Sequence, residues 1–343
     1  MKREVKIGDK KIGSGHPTYI IAEVGANHNR DKTIAKKLID KAADAGVDAV
    51  KFQTYKAETL YSKNAPRFSK DTMRPFDLIK ANELPLEWHR ELFRYAVRKK
   101  LHFLSSPFDY EAVDQLDDVG VPAFKVASFE LTDLELLRYI AKKKKPVILS
   151  VGMATLGEIE EALTVIRSEK NDDIILLHCT SLYPSPIDVV NLNVIQTLQM
   201  AYKIPIGFSD HTLGIHIPIA AVAKGAAVIE KHFTLDRHMK GPDHMFAVEP
   251  EELQQMVRNI RDVEKALGTG IKERSPQEQE MYEKGRRSII AAQHIKKGTK
   301  LTRDILLVKR PGYGIKPKYI DMIIGRKANK NIKKDQWLTW DDI

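Results

Sequence analysis

The sequence predicts a (β/α)8 TIM barrel followed by a small C-terminal domain, and three observations predict it. Short apolar runs and helical patterns alternate eight times within about 250 residues, the count and length of such a barrel. Strands that alternate with helices imply a parallel sheet. Beyond residue 268 a polar stretch intervenes, and the composition then changes. At 343 residues with 43% hydrophobic and 30% charged, the chain is too long for one minimal domain and too balanced for a disordered one.

The apolar runs cover residues 19–23, 49–53, 102–105, 123–127, 146–150, 174–178, 205–209 and 227–232. Helical spacing follows each: 33–45, 86–99, 111–118, 131–142, 156–168, 190–201, 216–224 and 250–267. In the first helix Ile34, Leu38, Ile39 and Ala42 share a face, and Gly46 reads as its stop. Residues 54–83 lack a clean period and contain Pro66 and Pro75, so a large loop with some helix is expected. A doubly wound open sheet is the alternative, but the turn after the first strand, Glu23-Val-Gly-Ala-Asn-His28, lacks its Gly-rich fingerprint.

Three segments follow: a barrel over 1–268, a linker over 269–284 and a small domain over 285–343. Within the last, residues 295–305 are echoed by 332–343 with one extra residue, which suggests two related hairpin-like halves. A domain of about 60 residues has a marginal core, so packing on the barrel or on a partner would support it.

One cysteine, Cys179, excludes a disulfide framework, a cysteine-based zinc site and a cysteine-held iron–sulfur cluster. The charged, then Gly-rich N-terminal residues lack a secretory apolar core, and the longest apolar stretch, 215–229, is too short to span a bilayer. A cytoplasmic location and no membrane partner are expected. The net charge of +10 admits a nucleic-acid surface, a basic substrate pocket or a solvated lysine-rich surface. Lysines spread along the chain and only 7% aromatics favour the solvated surface for most of them, with no nucleic-acid partner.

Barrel enzymes carry their chemistry at the C-terminal ends of the strands. Those ends here hold Glu23; Lys51 and Gln53; Ser105 and Ser106; Lys125 and Ser128; Ser150; His178 and Thr180; Ser209, Asp210 and His211; and Glu230, Lys231 and His232. Lys51 alternates with Val50 and Phe52, and Lys125 with Phe124 and Val126, so both lysines point inward if the apolar residues face the helices. Pairing with Glu23 or Glu230 is one reading of a buried lysine. Two such lysines beside Ser106 and Ser128 also suit a phosphate. His211 and His232 end adjacent strands and can share one divalent ion, with Mn²⁺, Co²⁺ or Zn²⁺ all reasonable.

These residues lie within motifs that resemble the sialic acid synthases, which condense phosphoenolpyruvate with an N-acetylated hexosamine to make nonulosonic acids. The motifs are Ile21-Ala-Glu-Val-Gly-Ala-Asn-His28, Val50-Lys-Phe-Gln-Thr54, Phe124-Lys-Val-Ala-Ser128, Gly207-Phe-Ser-Asp-His-Thr212, Ile229-Glu-Lys-His-Phe233 and Gly241-Pro-Asp243. The tail, with Lys309-Arg-Pro-Gly312, is similar to the family's antifreeze-like (SAF) domain. The resemblance implies that His211 and His232 hold Mn²⁺ or Mg²⁺ (Co²⁺ is possible) that polarises the sugar aldehyde. It implies that Lys51, Lys125, Ser106, Ser128 and Ser209 bind phosphoenolpyruvate. Glu23 would handle protons or water at the reacting carbon. Gln53, Tyr183 and Asp243 would bind the amino sugar, and Arg310 would reach it from the partner's small domain in a domain-swapped homodimer.

Some positions depart from the family pattern. Ser181 stands where some members carry Asn, Ser106 where others carry Thr, and residues 284–287 are basic where some place an aromatic. Residues 105–108 and 125–130 lean towards pseudaminate-type enzymes, and 241–243 towards sialate- or legionaminate-type ones, so the acceptor sugar stays open. The rival readings are a Schiff-base pyruvate aldolase and a protein whose C-terminal domain binds a polyanion.

Overall fold

The computed structural model describes residues 4–68 and 73–343. The expected loop over 54–83 therefore lies partly outside the described residues. Two compact units emerge, Met1–Gly268 and Thr269–Ile343.

In the first unit a short antiparallel hairpin, β1 (Val5–Ile7) and β2 (Lys10–Ile12), precedes eight parallel strands. They are β3 (Tyr19–Glu23), β4 (Ala49–Thr54), β5 (His102–Pro107), β6 (Phe124–Val126), β7 (Val147–Ser150), β8 (Ile174–Cys179), β9 (Ile206–Asp210) and β10 (Val228–His232). Hydrogen bonding orders them β5-β4-β3-β10-β9-β8-β7-β6, and β5 touches β6 to complete the ring. The helices are α1 (Lys32–Ala45), α2 (Ala57–Leu60), α3 (Pro75–Asn82), α4 (His89–Arg98), α5 (Tyr110–Val119), α6 (Leu134–Lys142), α7 (Leu156–Ser168), α8 (Val194–Tyr202), α9 (His216–Ala223) and α10 (Pro250–Leu267).

Local chemistry sets their ends. Asp31 caps α1 by accepting from the backbone of Thr33 and Ile34, and Gly46 stops it at φ 79°. Thr155 and Glu158 form a reciprocal capping box on α7. Pro250 opens α10, where its missing N–H leaves nothing unsatisfied.

Strand alternation divides the core in two. Ile20, Ala22, Val50, Phe52, Phe103 and Phe208 point outward against the helices. Each such fully buried large side chain contributes roughly 1.5–3 kcal/mol. Tyr19, Ile21, Ala49, Leu104, Ile148, Leu177 and Val228 point inward, where Val5, Ile7 and Ile12 of the hairpin join them. The apolar interior thus occupies the end where the strands begin. Further along the same inward rows come Glu23, Lys51, Gln53 and Glu230. The sequence reading missed the hairpin, because three-residue strands carry too few positions to show a period.

The second unit contains a 3-10 turn (Pro276–Glu278) and α11 (Gln279–Gly285), so the stretch expected as a plain linker is partly helical. Strands β11 (Ser288–Ala291) and β12 (Leu306–Lys309) pair antiparallel, and α12 (Ile320–Ile323) follows. The sequence echo has a structural counterpart of a different kind from hairpin halves. Ile295 and Ile332, equivalent in the two copies, exchange backbone hydrogen bonds at 2.9 and 2.8 Å, so the copies pair with each other. Leu301 and Leu338 are equivalent core residues, and each copy ends in a 3-10 turn. Among the described residues no helix is long and apolar enough to cross a membrane.

Candidate active site

Twelve of the thirteen residues singled out lie on the barrel strands or in the loops beyond their C-terminal ends, with Lys51 and Lys125 in mid-strand. Arg310 is in the second unit, exposed, directly after β12. Lys51 and Lys125 both point inward, as their alternation requires, and both are buried. Lys51 Nζ lies 2.8 Å from Glu23 Oε2 and 3.7 Å from Glu230 Oε2, and donates to Ser106 Oγ at 3.3 Å. Lys125 Nζ lies 3.3 Å from Glu230 Oε1, which also accepts from Ser209 Oγ at 3.0 Å. Gln53 Nε2 donates to Glu23 Oε1 at 2.7 Å. Glu23, Lys51, Glu230 and Lys125 thus form a buried chain of alternating charge, the pairing that makes such burial tolerable.

The members of this array are tuned apart. Burial pushes Glu23 up to about 7 against the pull of Lys51. Burial also opposes ionisation of Glu230, but Lys125 and Lys51 together hold its carboxyl below the usual range. Burial lowers Lys125 despite Glu230, whereas Glu23 and Glu230 outweigh burial and raise Lys51. Glu23 is therefore a carboxyl that can carry or release a proton near neutrality.

Ser128 Oγ accepts from the Gly152 backbone N–H at 2.9 Å. Gly152 has no room for a side chain: a Cβ there would collide with Ser181 Oγ and come within 2.9 Å of Ser128 Oγ. The Ser181 hydroxyl is buried without a hydrogen-bond partner.

His211 and His232 stand with ring centroids 5.4 Å apart. Tyr183 packs on His211 at 4.2 Å, and Phe246 on His232 at 5.0 Å. Burial holds both imidazoles neutral, with His211 pushed down to about 4 and His232 well below its ordinary value. His211 Nδ1 lies 2.9 Å from the Thr180 carbonyl, which fixes Nε2 as its free nitrogen. His232 Nδ1 is buried without a hydrogen-bond partner among the described residues, 3.9 Å from Asp243 Oδ2. Asp243 Oδ2 itself accepts from the Ala26 N–H at 3.0 Å. Among the described residues no three His, Cys, Asp or Glu side chains gather as a metal cluster. Two neutral imidazoles, one with an orphaned nitrogen, still suit an ion whose remaining positions are filled by substrate or water.

Three further groups stand at the site: Glu230 and Ser150 were among the strand-end groups of the sequence reading without a final role there, and Glu130 was missed. Glu230, expected as one partner for a buried lysine, joins both of them. Ser150 Oγ is buried without a partner at the end of β7. Glu130, in the 3-10 turn Ser128–Glu130, has one orphaned oxygen, and burial pushes it up to about 7 against Lys125. By contrast, Asp210 and Lys231 face outward and pair with each other at 2.6 Å, so they support the barrel wall. A cleft of about 620 Å³ opens at the other end of the barrel around Thr18, Pro205 and Ala227. Its Arg261 and Glu264 are paired at 2.9 Å, and it holds none of this chemistry.

The family model described as NeuB family matches residues 38–272, and that of the SAF domain matches 286–343. The chain belongs to the NeuB family. It is 48% identical over 327 residues to the N,N'-diacetyllegionaminic acid synthase of Campylobacter jejuni, covering 93% of this chain and 98% of that protein. It is 38% identical to the pseudaminic acid synthase of Helicobacter pylori, covering 95% and 98%. The solved structure of the N-acetylneuraminic acid synthetase of Leptospira borgpetersenii matches with a TM-score of 0.75 at 40% identity, over 82% of this chain and 95% of that one. NeuB relatives are thus synthases of sialic-type acids, and this chain is an enzyme of that kind. The resemblance drawn from the motifs holds at the level of the NeuB family and its SAF domain.

Proposed function

We propose that the chain condenses phosphoenolpyruvate with an N-acetylated mannosamine-type sugar, giving a nonulosonic acid and phosphate. The observation that carries this reading is the buried chain of Glu23, Lys51, Glu230 and Lys125 beside two neutral histidines. Lys51 and Lys125, with the hydroxyls of Ser106, Ser128 and Ser209, hold the phosphate and offset its charge. Gln53, Tyr183, Ser181 and Asp243 orient the open-chain sugar, with Arg310 supplied by the SAF domain of a partner subunit. His211 and His232 hold a divalent ion, Mn²⁺ or Mg²⁺, which polarises the aldehyde when bound.

Carbon 3 of phosphoenolpyruvate then bonds to the aldehyde carbon, whose oxygen takes a proton. Water adds at C2, and phosphate leaves with cleavage of its bond to C2, which becomes a ketone. Glu23 holds the proton that moves at this carbon, because burial keeps its carboxyl near neutrality. Fixing both substrates side by side supplies much of the acceleration.

A 2,4-diacetamido-trideoxy hexose is the second reading of the acceptor, because one 48% identical relative is named for diacetyllegionaminic acid. Phosphate release from phosphoenolpyruvate by chelator-stripped protein tests both, with and without Mn²⁺, against N-acetylmannosamine and the diacetamido sugars. Release that requires one sugar and the metal supports the reading and names the acceptor. Release with none of them overturns it.

A further inference from the structure

The net charge of this chain comes from one end. Residues 286–343 carry fifteen Lys and Arg against five Asp and no Glu, a net of +10, which equals that of the whole protein. Residues 1–285 hold 41 charges of each sign. A solvated ion-pair surface needs acids, and this unit has few to offer, so that explanation fails here.

The cations also converge. The backbone pairs antiparallel at Ile295 with Ile332 and at Lys300 with Lys327. That ribbon carries Lys296, Lys297 and Lys300 on one segment and Arg326, Lys327 and Lys330 on the other, all exposed. Among the described residues only Lys330 of the six has an ion-pair partner, Asp342 at 2.7 Å. Lys300 sits directly opposite Lys327, a like-charge pairing that costs stability. A ribbon kept in this form despite that cost points to an anionic ligand.

Apolar groups rim the same surface. Arg326 lies over the Trp340 ring at 5.8 Å and donates from Nε to the Met322 carbonyl at 3.1 Å. Met322, Ile324 and Trp340 are 56%, 37% and 46% exposed. Single-stranded nucleic acid stacks its bases on open aromatic faces. Here Arg326 covers one face of Trp340, and Tyr319 meets the ring edge-on at 5.6 Å. Exposed aliphatics beside an amphipathic Trp and unpaired lysines suit the headgroup region of a bilayer instead.

We propose that this ribbon and its apolar rim dock the protein on an anionic membrane surface. The inference stands on the SAF domain alone and does not depend on the reaction proposed above. The test is sedimentation of the full chain with phosphatidylcholine vesicles, with and without about 30% phosphatidylglycerol, at low and high salt. Binding is expected only to the anionic vesicles, and it is lost at high salt. The Lys296→Glu/Lys300→Glu variant keeps the fold, since the new carboxylate at position 300 then faces Lys327 as an opposite charge. It is expected to bind at least thirtyfold more weakly, at about 1 kcal/mol per cation near the surface. Equal binding to neutral vesicles, or an unweakened variant with an unchanged melting curve, overturns the proposal. So does a single-stranded oligonucleotide that binds more tightly than the vesicles and displaces them, which assigns the ribbon to nucleic acid.

Discussion

Glu230 holds Lys125 at 3.3 Å through one carboxylate oxygen, and its other oxygen lies 3.7 Å from Lys51. All three side chains are buried, so the carboxylate is what keeps two ammonium groups compatible with folding. Removing one partner of a buried pair typically costs about 3–5 kcal/mol. Glu230→Gln is therefore expected to lower the melting temperature of the chain by several degrees. Phosphoenolpyruvate or inorganic phosphate, by supplying the missing negative charge, should restore more of that loss than it adds to the native chain. A variant as stable as the native protein, with no extra response to phosphate, removes Glu230 from this role.

Lys51 touches Glu23, Glu230 and Ser106 at once, so its substitution separates binding from chemistry. Lys51→Met keeps most of the side chain's volume and removes the charge. The expected result is a rise in KM for phosphoenolpyruvate with a loss of about a hundredfold or more in kcat/KM, while the sugar KM moves little. An unchanged phosphoenolpyruvate KM takes Lys51 out of the phosphate site.

His232 offers a buried nitrogen that has no hydrogen-bond partner among the described residues, and His211 has only one nitrogen left to offer. With so few ligands, each should matter. His232→Ala is expected to weaken Mn²⁺ binding, followed by electron spin resonance of the free ion, by about a hundredfold or more. Its circular dichroism should stay native. Native Mn²⁺ affinity in that variant sinks the metal assignment, whatever happens to turnover.

Gly25 makes the histidine side of the mouth testable through the backbone. Its φ is +53°, and a Cβ there would lie 2.6 Å from Asp243 Oδ2 and 3.3 Å from His232 Cε1. Gly25→Ala adds about 1–2 kcal/mol of backbone strain and pushes Asp243 away from His232. The barrel should still fold, at a lower melting temperature, with sugar KM raised. An alanine variant with native sugar KM shows that the Asp243 position is not needed for the acceptor.

Much of this was legible in the sequence, for physical reasons. Parallel strands are buried on both faces, so all eight stand out as short apolar runs, and a single Lys in such a run betrays the inward row. That is why Lys51 and Lys125 could be aimed correctly before any coordinates. Glu230 was legible as a partner for a buried lysine, but Lys231 follows it and left its face undecided. Two charged neighbours on one strand point to opposite faces, and only the partners Asp210 and Lys125 tell which one joins the site. Glu130 lies on a turn beyond the strands, where no period constrains a side chain, and Ser181, equally unconstrained, was reached only through the family resemblance. The pairing of residues 295 and 332 was visible as a repeat, but a repeat does not specify whether its copies pair internally or with each other.

Arg310 supports the most discriminating experiment, because it lies in the SAF unit and the other proposed site residues lie in the barrel. If the small domain is exchanged between subunits, Arg310 serves its partner's barrel. Arg310→Ala alone should raise the sugar KM and leave that of phosphoenolpyruvate unchanged, since its proposed role is at the acceptor alone. Arg310→Ala and Lys51→Met chains, each weakly active alone, can then be unfolded together and refolded as a mixture. In a mixed dimer with exchanged domains, one site combines an intact Lys51 with an intact Arg310. Random pairing makes about half the dimers mixed, so about one quarter of all sites regain activity. If Arg310 serves its own barrel, no mixed dimer contains an intact site and the mixture stays at the level of the separate variants. Recovery therefore demonstrates the exchange, and its absence, with native dimers recovered in a control refolding, assigns Arg310 to its own chain.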